Sequence, residues 1–241
     1  MEYREIDLPA QLRPFVRAVW HLCGMDGPHA ILTNNAMPDG CVELIHRMSG
    51  TSQWDGEQPT TFVAGLCSKP AHLTMSGDAS FLGVRLWPWA WNLLDGAKCP
   101  EFHDRWLSLD QSLVASAILA GEDKVVERLL EAFSSHTPDP IGASVPNAKS
   151  SGDLTHLSGR NHRAIQRWFA REVGMPPRRY FKLLRFQKAI EATDAVDQPL
   201  ADQAASLGYA DQSHMARDFR SFAQGSTSKV RAGAVGPFID R

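Results

Sequence analysis

Apolar and polar residues alternate in short runs through residues 1–106. From about residue 108 the apolar positions recur every three or four residues instead. "FVRAVWHLC", "CVELIHRM", "TFVAGLC", "AHLTMSG" and "SFLGVRLW" are short apolar or alternating runs set between Gly, Pro, Asp and Ser. Runs of that kind read as strands, and several at close spacing predict a sandwich or barrel. "SLDQSLVASAILAGEDKVVERLLEAFSSH", residues 108–136, switches to helical spacing, with Val125, Leu129 and Phe133 on one face and Ser112 or Asp110 as a cap. "TPDPIGASVPNAKSSG" has no period and reads as a linker. The fold class expected is α+β: a β-rich domain over 1–136, a linker over 137–149 and an all-α domain over 150–235.

Within the helical part, two stretches share one layout. In "SGRNHRAIQRWFAREVG", Asn161 can cap a helix that turns Ile165, Trp168 and Phe169 inward and Arg163, Gln166 and Arg167 outward. In "LADQAASLGYADQSHMARDFRSF", residues 200–222, Leu200, Ala204 and Leu207 mark a helix that Gly208 stops. Asp211 then caps a second helix, with Met215 and Phe219 inward and Gln212, Ser213, His214 and Arg217 outward. Arginine reaches guanine O6 and N7 with two donors, and glutamine does the same for adenine N6 and N7. Helices of this kind fit a major groove. "MPPRRYFKLLRFQKAIEAT" lies between them, with Pro177 suited to a first turn and Tyr180, Leu184 and Ile190 apolar. Such a helix would set the spacing of the two readers; about 34 Å would match one duplex turn.

Charge sharpens this picture. Residues 1–148 hold 10 Lys/Arg against 18 Asp/Glu, a balance of −8, whereas residues 149–239 hold 14 against 8, a balance of +6. Residues 160–188 alone carry nine basic side chains and one acid, Glu172. A polyanion is the partner such a half implies. The opposite balances also allow the acidic half to fold onto the basic one. No run approaches the roughly 20 apolar residues of a membrane span, and the charged, proline-broken start is no signal peptide. Cys23, Cys41, Cys67 and Cys99 form no CxxC pair and read as free thiols of a cytoplasmic protein.

"RNHRAIQRWFAREVGMPPRRYFKLLRFQK" followed by "LADQAASLGYADQSHMARDFRSF" resembles the double helix-turn-helix domain of AraC/XylS-type transcription regulators, over about residues 150–232. The resemblance implies a sequence-specific DNA-binding regulator. It carries the base-reading positions of the family onto Arg163, Gln166, Arg167, Gln212, Ser213, His214 and Arg217, the outward faces read above. Phosphate contacts are expected from Arg160, Arg171, Arg178, Arg179, Lys182 and Arg220, which set register rather than sequence. The partners implied are double-stranded DNA, a second copy of the chain, RNA polymerase and a small-molecule effector. Two departures stand out. "SGDLTHLSGRN" replaces the usual Ala-rich opening of the first unit, so its supporting helix is expected to be short or irregular; and "FAQGSTSKVRAG" lacks the usual closing proline.

The N-terminal half resembles the β-rich domain that precedes this unit in some members, which implies a sensor or dimerisation role and no particular ligand. Six of the seven tryptophans lie there, three in "WPWAW". Trp20, Trp87 and Trp89 are candidates for a ligand pocket, since aromatic concavities take apolar or cationic molecules, though tryptophans more often pack a core. The histidines show no chelating spacing, the cysteines no zinc pairing, and neither a nucleophile elbow nor a phosphate-binding glycine loop occurs. No cofactor, metal or catalytic residue is therefore assigned. An enzyme in the β-rich half, or an interaction module with a degenerate helical domain, are the rival readings.

Overall fold

The computed structural model describes residues 1–94, 98–119, 121–191, 200–225 and 230. The larger of two antiparallel sheets uses β1 (Glu2–Ile6), β2 (Val16–Cys23), β4 (Val42–Ser49), β6 (Thr61–Ala64), β8 (Ser80–Leu86) and β9 (Trp106–Ser108). Its order is β1-β2-β8-β4-β6-β9. The smaller sheet joins β3 (Ile31–Ala36), β7 (Ala71–Ser76) and β5 (Ser52–Gln53) in the order β3-β7-β5.

The central strands of the larger sheet are covered on both faces, which is why β2, β4 and β8 read as nearly continuous apolar runs. Val19, Leu44, Leu82 and Val84 face the helices, and Trp20, Ile45, Phe62 and Phe81 face the smaller sheet across a second core. Gly83 sits between Trp20 and Ile45 in register. A Cβ there would lie 2.1 Å from the Trp20 ring, so the glycine lets the indole lie flat on β8.

Helices α1 (Pro88–Leu94), α2 (Leu113–Ile118) and α3 (Val125–Phe133) follow. Ser112 caps α2 by accepting from the Ala115 amide, whereas Asp110 accepts from the Thr61 amide. The expected face of α3 is buried, with Phe133 stacked on Phe15 at 4.5 Å. The segment 137–149 is an ordered connection rather than a plain linker. Asp139 caps α4 (Pro140–Ser144), Pro140 takes its first position, and Ile141, Val145 and Ala148 are buried. Their i, i+4, i+7 spacing spans only two turns, too few for a period to emerge from so many small residues.

The rest is helical: α5 (Ser151–Ser158), α6 (His162–Glu172), α7 (Pro177–Glu191), α8 (Leu200–Ser206) and α9 (Gln212–Phe222). The end expected at residue 235 and most of the proline-less closing stretch lie outside the described residues. A single apolar core runs from the larger sheet through α1 to α9, and the two halves share it. No described helix is long and apolar enough to cross a membrane.

Candidate nucleic-acid interface

Two helix pairs repeat the same construction. In the first, Ser150 caps α5, Gly159 closes it with a left-handed φ of 67°, and Asn161 accepts from the Ala164 amide to start α6. In the second, Gly208 turns after α8 at φ 76°, and Asp211 accepts from the His214 amide to start α9. Each glycine takes a backbone conformation that a side chain would strain, and each cap satisfies an amide that a helix start leaves free. The supporting helix α5 is short, as its sequence suggests, yet regular over eight residues.

The faces divide as the spacing predicts. Ile165, Trp168 and Phe169 of α6 are buried, while Arg163, Gln166 and Arg167 are exposed. On α9, Met215, Phe219 and Phe222 are buried, and Gln212, Ser213 and Arg217 are exposed. His214 differs from the expectation. It is half-buried, its ring edge-on to Tyr209 at 5.3 Å and its Nε2 3.4 Å from Arg185. Of the expected phosphate contacts, Arg160, Arg171, Arg178, Arg179 and Arg220 are exposed, with Arg171 paired to the adjacent Glu172. Lys182 is half-exposed and its Nζ lies 3.3 Å from Asp218, so this cation already has an internal partner.

Asp218 is the element that sequence reasoning missed. It is 1% exposed on the inward face of α9, where Arg185 of α7 also meets it at 3.1 Å. The Arg185 guanidinium lies 4.4 Å from the centre of the Tyr209 ring. Buried ion pairs are retained only with good partners, and here two cations serve one carboxylate. The cluster fixes α9 and the turn before it against α7. A signal existed: an acid among Met215, Phe219 and Phe222 on an apolar face requires a cation opposite it.

The first reader is anchored differently. Trp89 of α1 packs on Trp168 at 5.4 Å, and Trp87 stacks on Trp89 at 5.2 Å. Their indole N–H groups donate to the carbonyls of Arg13 and Pro14. These two tryptophans, candidates for a pocket, instead form the aromatic joint between the halves. Trp20, the third candidate, does line a cavity. Around the joint, Asn92 donates to the Glu172 carbonyl and side chain, and His103 Nε2 lies 2.8 Å from the Val173 carbonyl oxygen. Gly174, at φ 72°, closes α6 so tightly that a Cβ would lie 2.8 Å from Pro100.

Among the described residues no group of His, Cys, Asp and Glu is arranged to hold a metal ion. The arrangement offers two capped, outward-facing helices carrying planar hydrogen-bonding side chains on a basic domain.

Residues 154–233 match the family model described as "Helix-turn-helix domain", and residues 4–108 match "Domain of unknown function (DUF6597)". No curated protein matches the sequence. Among solved structures, ToxT from Vibrio cholerae is 11% identical with a TM-score of 0.49, over 98% of this chain and 100% of that one. An unsaturated fatty acid-bound ToxT from strain SCE256 is 12% identical with a TM-score of 0.43, over 89% and 94%. The AraC-like transcriptional activator CuxR is 14% identical with a TM-score of 0.30, over 90% and 79%. Likeness at that level carries no functional argument, and the assignment rests on the two family matches with the motifs they enclose. The chain thus joins an N-terminal region matching a domain of unknown function to a C-terminal region matching a helix-turn-helix domain.

Proposed function

We propose that the protein is a sequence-specific transcription regulator that lays α6 and α9 in successive major-groove segments of double-stranded DNA. In this reading residues 150–235 bind DNA, residues 137–149 connect, and residues 1–136 take a small-molecule effector or mediate dimerisation in a cytoplasmic protein. The observation that carries it is the repetition of one construction, a left-handed glycine, a capped helix and an outward face of Arg and Gln, inside a matched helix-turn-helix domain. Bidentate Arg and Gln side chains are the chemistry of base reading. Arg163, Gln166 and Arg167 would read one half-element, and Gln212, Ser213 and Arg217 the other. His214 would do so only after leaving Tyr209. Arg160, Arg171, Arg178, Arg179 and Arg220 would contact phosphates, and Lys182 contributes chiefly by holding Asp218. The test is selection from a random DNA library by the full-length protein, with binding measured at 50 and 200 mM salt. Two half-elements about one turn apart are expected. Binding without any recovered motif, lost steeply at the higher salt, would leave only a basic surface.

A further inference from the structure

The face of the larger sheet turned away from the helices meets the smaller sheet around a cavity of about 70 Å³. Its walls are aromatic and apolar, with Trp20, Trp54, Phe62 and Met75 among them, but Glu43 and Ser52 also line it. Glu43 is 6% exposed, and its Oε2 has no hydrogen-bond partner among the described residues; the same holds for Ser52 Oγ. Carboxylates outnumber cations here. Arg85 Nε lies 2.8 Å from Glu43 Oε1 and 2.9 Å from Asp39 Oδ2, and its Nη1 lies 3.9 Å from Glu5, so one guanidinium serves three acids. The nearby Arg17 is engaged elsewhere, donating to the Asp39 carbonyl and to Glu191 of α7. Burial accordingly pushes the Glu43 carboxyl up to about 7, against the pull of Arg85. What completes such a site is a cation with N–H donors and an apolar body. Aromatic walls favour the same group.

One turn of the cavity wall reaches the helical half. Met37, Asp39 and Cys41 belong to its lining, and Gly40 between them accepts a 2.6 Å hydrogen bond from the Tyr180 hydroxyl of α7. Gly40 has φ 83°, and a Cβ there would meet Leu184 at 2.7 Å. Through Tyr180 and Glu191 the turn is tied to both ends of the helix that joins the two readers.

We propose that this cavity takes a small organic amine, its ammonium group donating to the Glu43 carboxylate and its hydrocarbon body lying on Trp20 and Phe62, and that the turn at 37–41 passes its occupancy to α7. This rests on the reading of residues 1–136 as an effector domain. The test is calorimetric titration of the full-length protein with n-propylamine, n-butylamine and n-pentylamine at pH 8, against the alcohols and carboxylates of equal length. Saturable amine binding, at least tenfold tighter than the matching alcohol and weakening below pH 7 as the proton competes for Glu43, is the expected result. Glu43→Gln should abolish the preference. Should that variant not fold, Ala64→Leu fills the same cavity from its wall and should abolish binding. Equal affinity for amine and alcohol, no binding, or a preference that survives Glu43→Gln would each overturn the site. DNA affinity, with and without amine, should shift at least threefold in the natural protein and not in Tyr180→Phe. Amine binding that leaves DNA affinity unchanged would overturn the coupling. A protein that binds amines but no DNA would overturn the regulator reading and leave the amine site standing.

Discussion

In the proposed DNA complex single side chains would carry the recognition, and their roles separate by what else they touch. Arg167 and Arg217 are exposed, and no ion pair between either and another side chain is found in the described structure. Replacing either by Ala should cost about 1–3 kcal/mol on the selected site and relax preference at one base position. Equal loss on random DNA would reduce them to phosphate contacts. Lys182 is the contrasting case: as a basic residue of the helical half it is expected among the phosphate contacts, and only the fold shows Asp218 beside it. Glu43 was equally hidden, because its partner Arg85 comes from β8, 42 residues further along the chain. Its titration gives a second measurable consequence. Burial, seconded by Asp39, outweighs Arg85 and Arg17, which favour its charge, and raises the folded value to about 7 from an ordinary 4.5. Between those values the unfolded chain has lost the proton that the folded protein still holds, so stability falls as pH rises and levels off above 7. Denaturant melts of the natural protein and Glu43→Gln between pH 4.5 and 8 should diverge by up to about 3 kcal/mol, the variant lacking the decline. Parallel profiles would show that the carboxyl titrates normally.

At the scale of elements, legibility followed the depth of the pattern. Helices α6 and α9 were readable to the cap because Asn161 and Asp211 precede long amphipathic periods. Strands β2, β4 and β8 were readable because both of their faces are buried. The edge strand β1, and β3 and β5 of the smaller sheet, were not, since "EYREI", "ILTNNA" and "SQ" are polar where they meet solvent and too short to alternate visibly. The attachment of each reader was not readable either. The first is held by Trp168 and Gly174 against α1 and Pro100, the second by Asp218 against α7. That difference predicts separable damage. Asp218→Ala leaves Arg185 and Lys182 facing each other without their anion, and should cost about 2–4 kcal/mol, the lower end because both cations keep some access to water. The variant should keep the half-element read by α6 and lose the one read by α9. Footprinting on the selected site distinguishes this from uniform weakening, which would mean that the cluster stabilises the whole domain rather than one reader.

For the molecule as a whole, the contrast in charge between the halves proved a poor guide to how they meet. Among the described residues an ion pair across the boundary, Arg17 with Glu191, takes its cation from the acidic half and its anion from the basic one. What joins the halves is the shared apolar core, with Trp87, Trp89 and Trp168 at its waist and Tyr180 bonded to Gly40. Among the described residues, Arg163 and Arg167 of α6 and Arg217 of α9 stay exposed beside this shared core. A core of this kind does not melt in halves. Separating the helical domain would strip cover from two buried tryptophans, and truncating even one such side chain typically costs about 3–5 kcal/mol. The full chain should accordingly unfold in one calorimetric transition, and Trp89→Ala should split it into two or lower it as one. Specific DNA binds only the folded helical part, so by linkage it should raise the melting temperature of the whole. Hydrogen exchange in β2 and β8, far from the readers, should slow when DNA is added if exchange there requires global opening. Protection confined to α5–α9 would instead show that the joint opens before the sheet does, and that the two halves communicate only through the turn at Gly40.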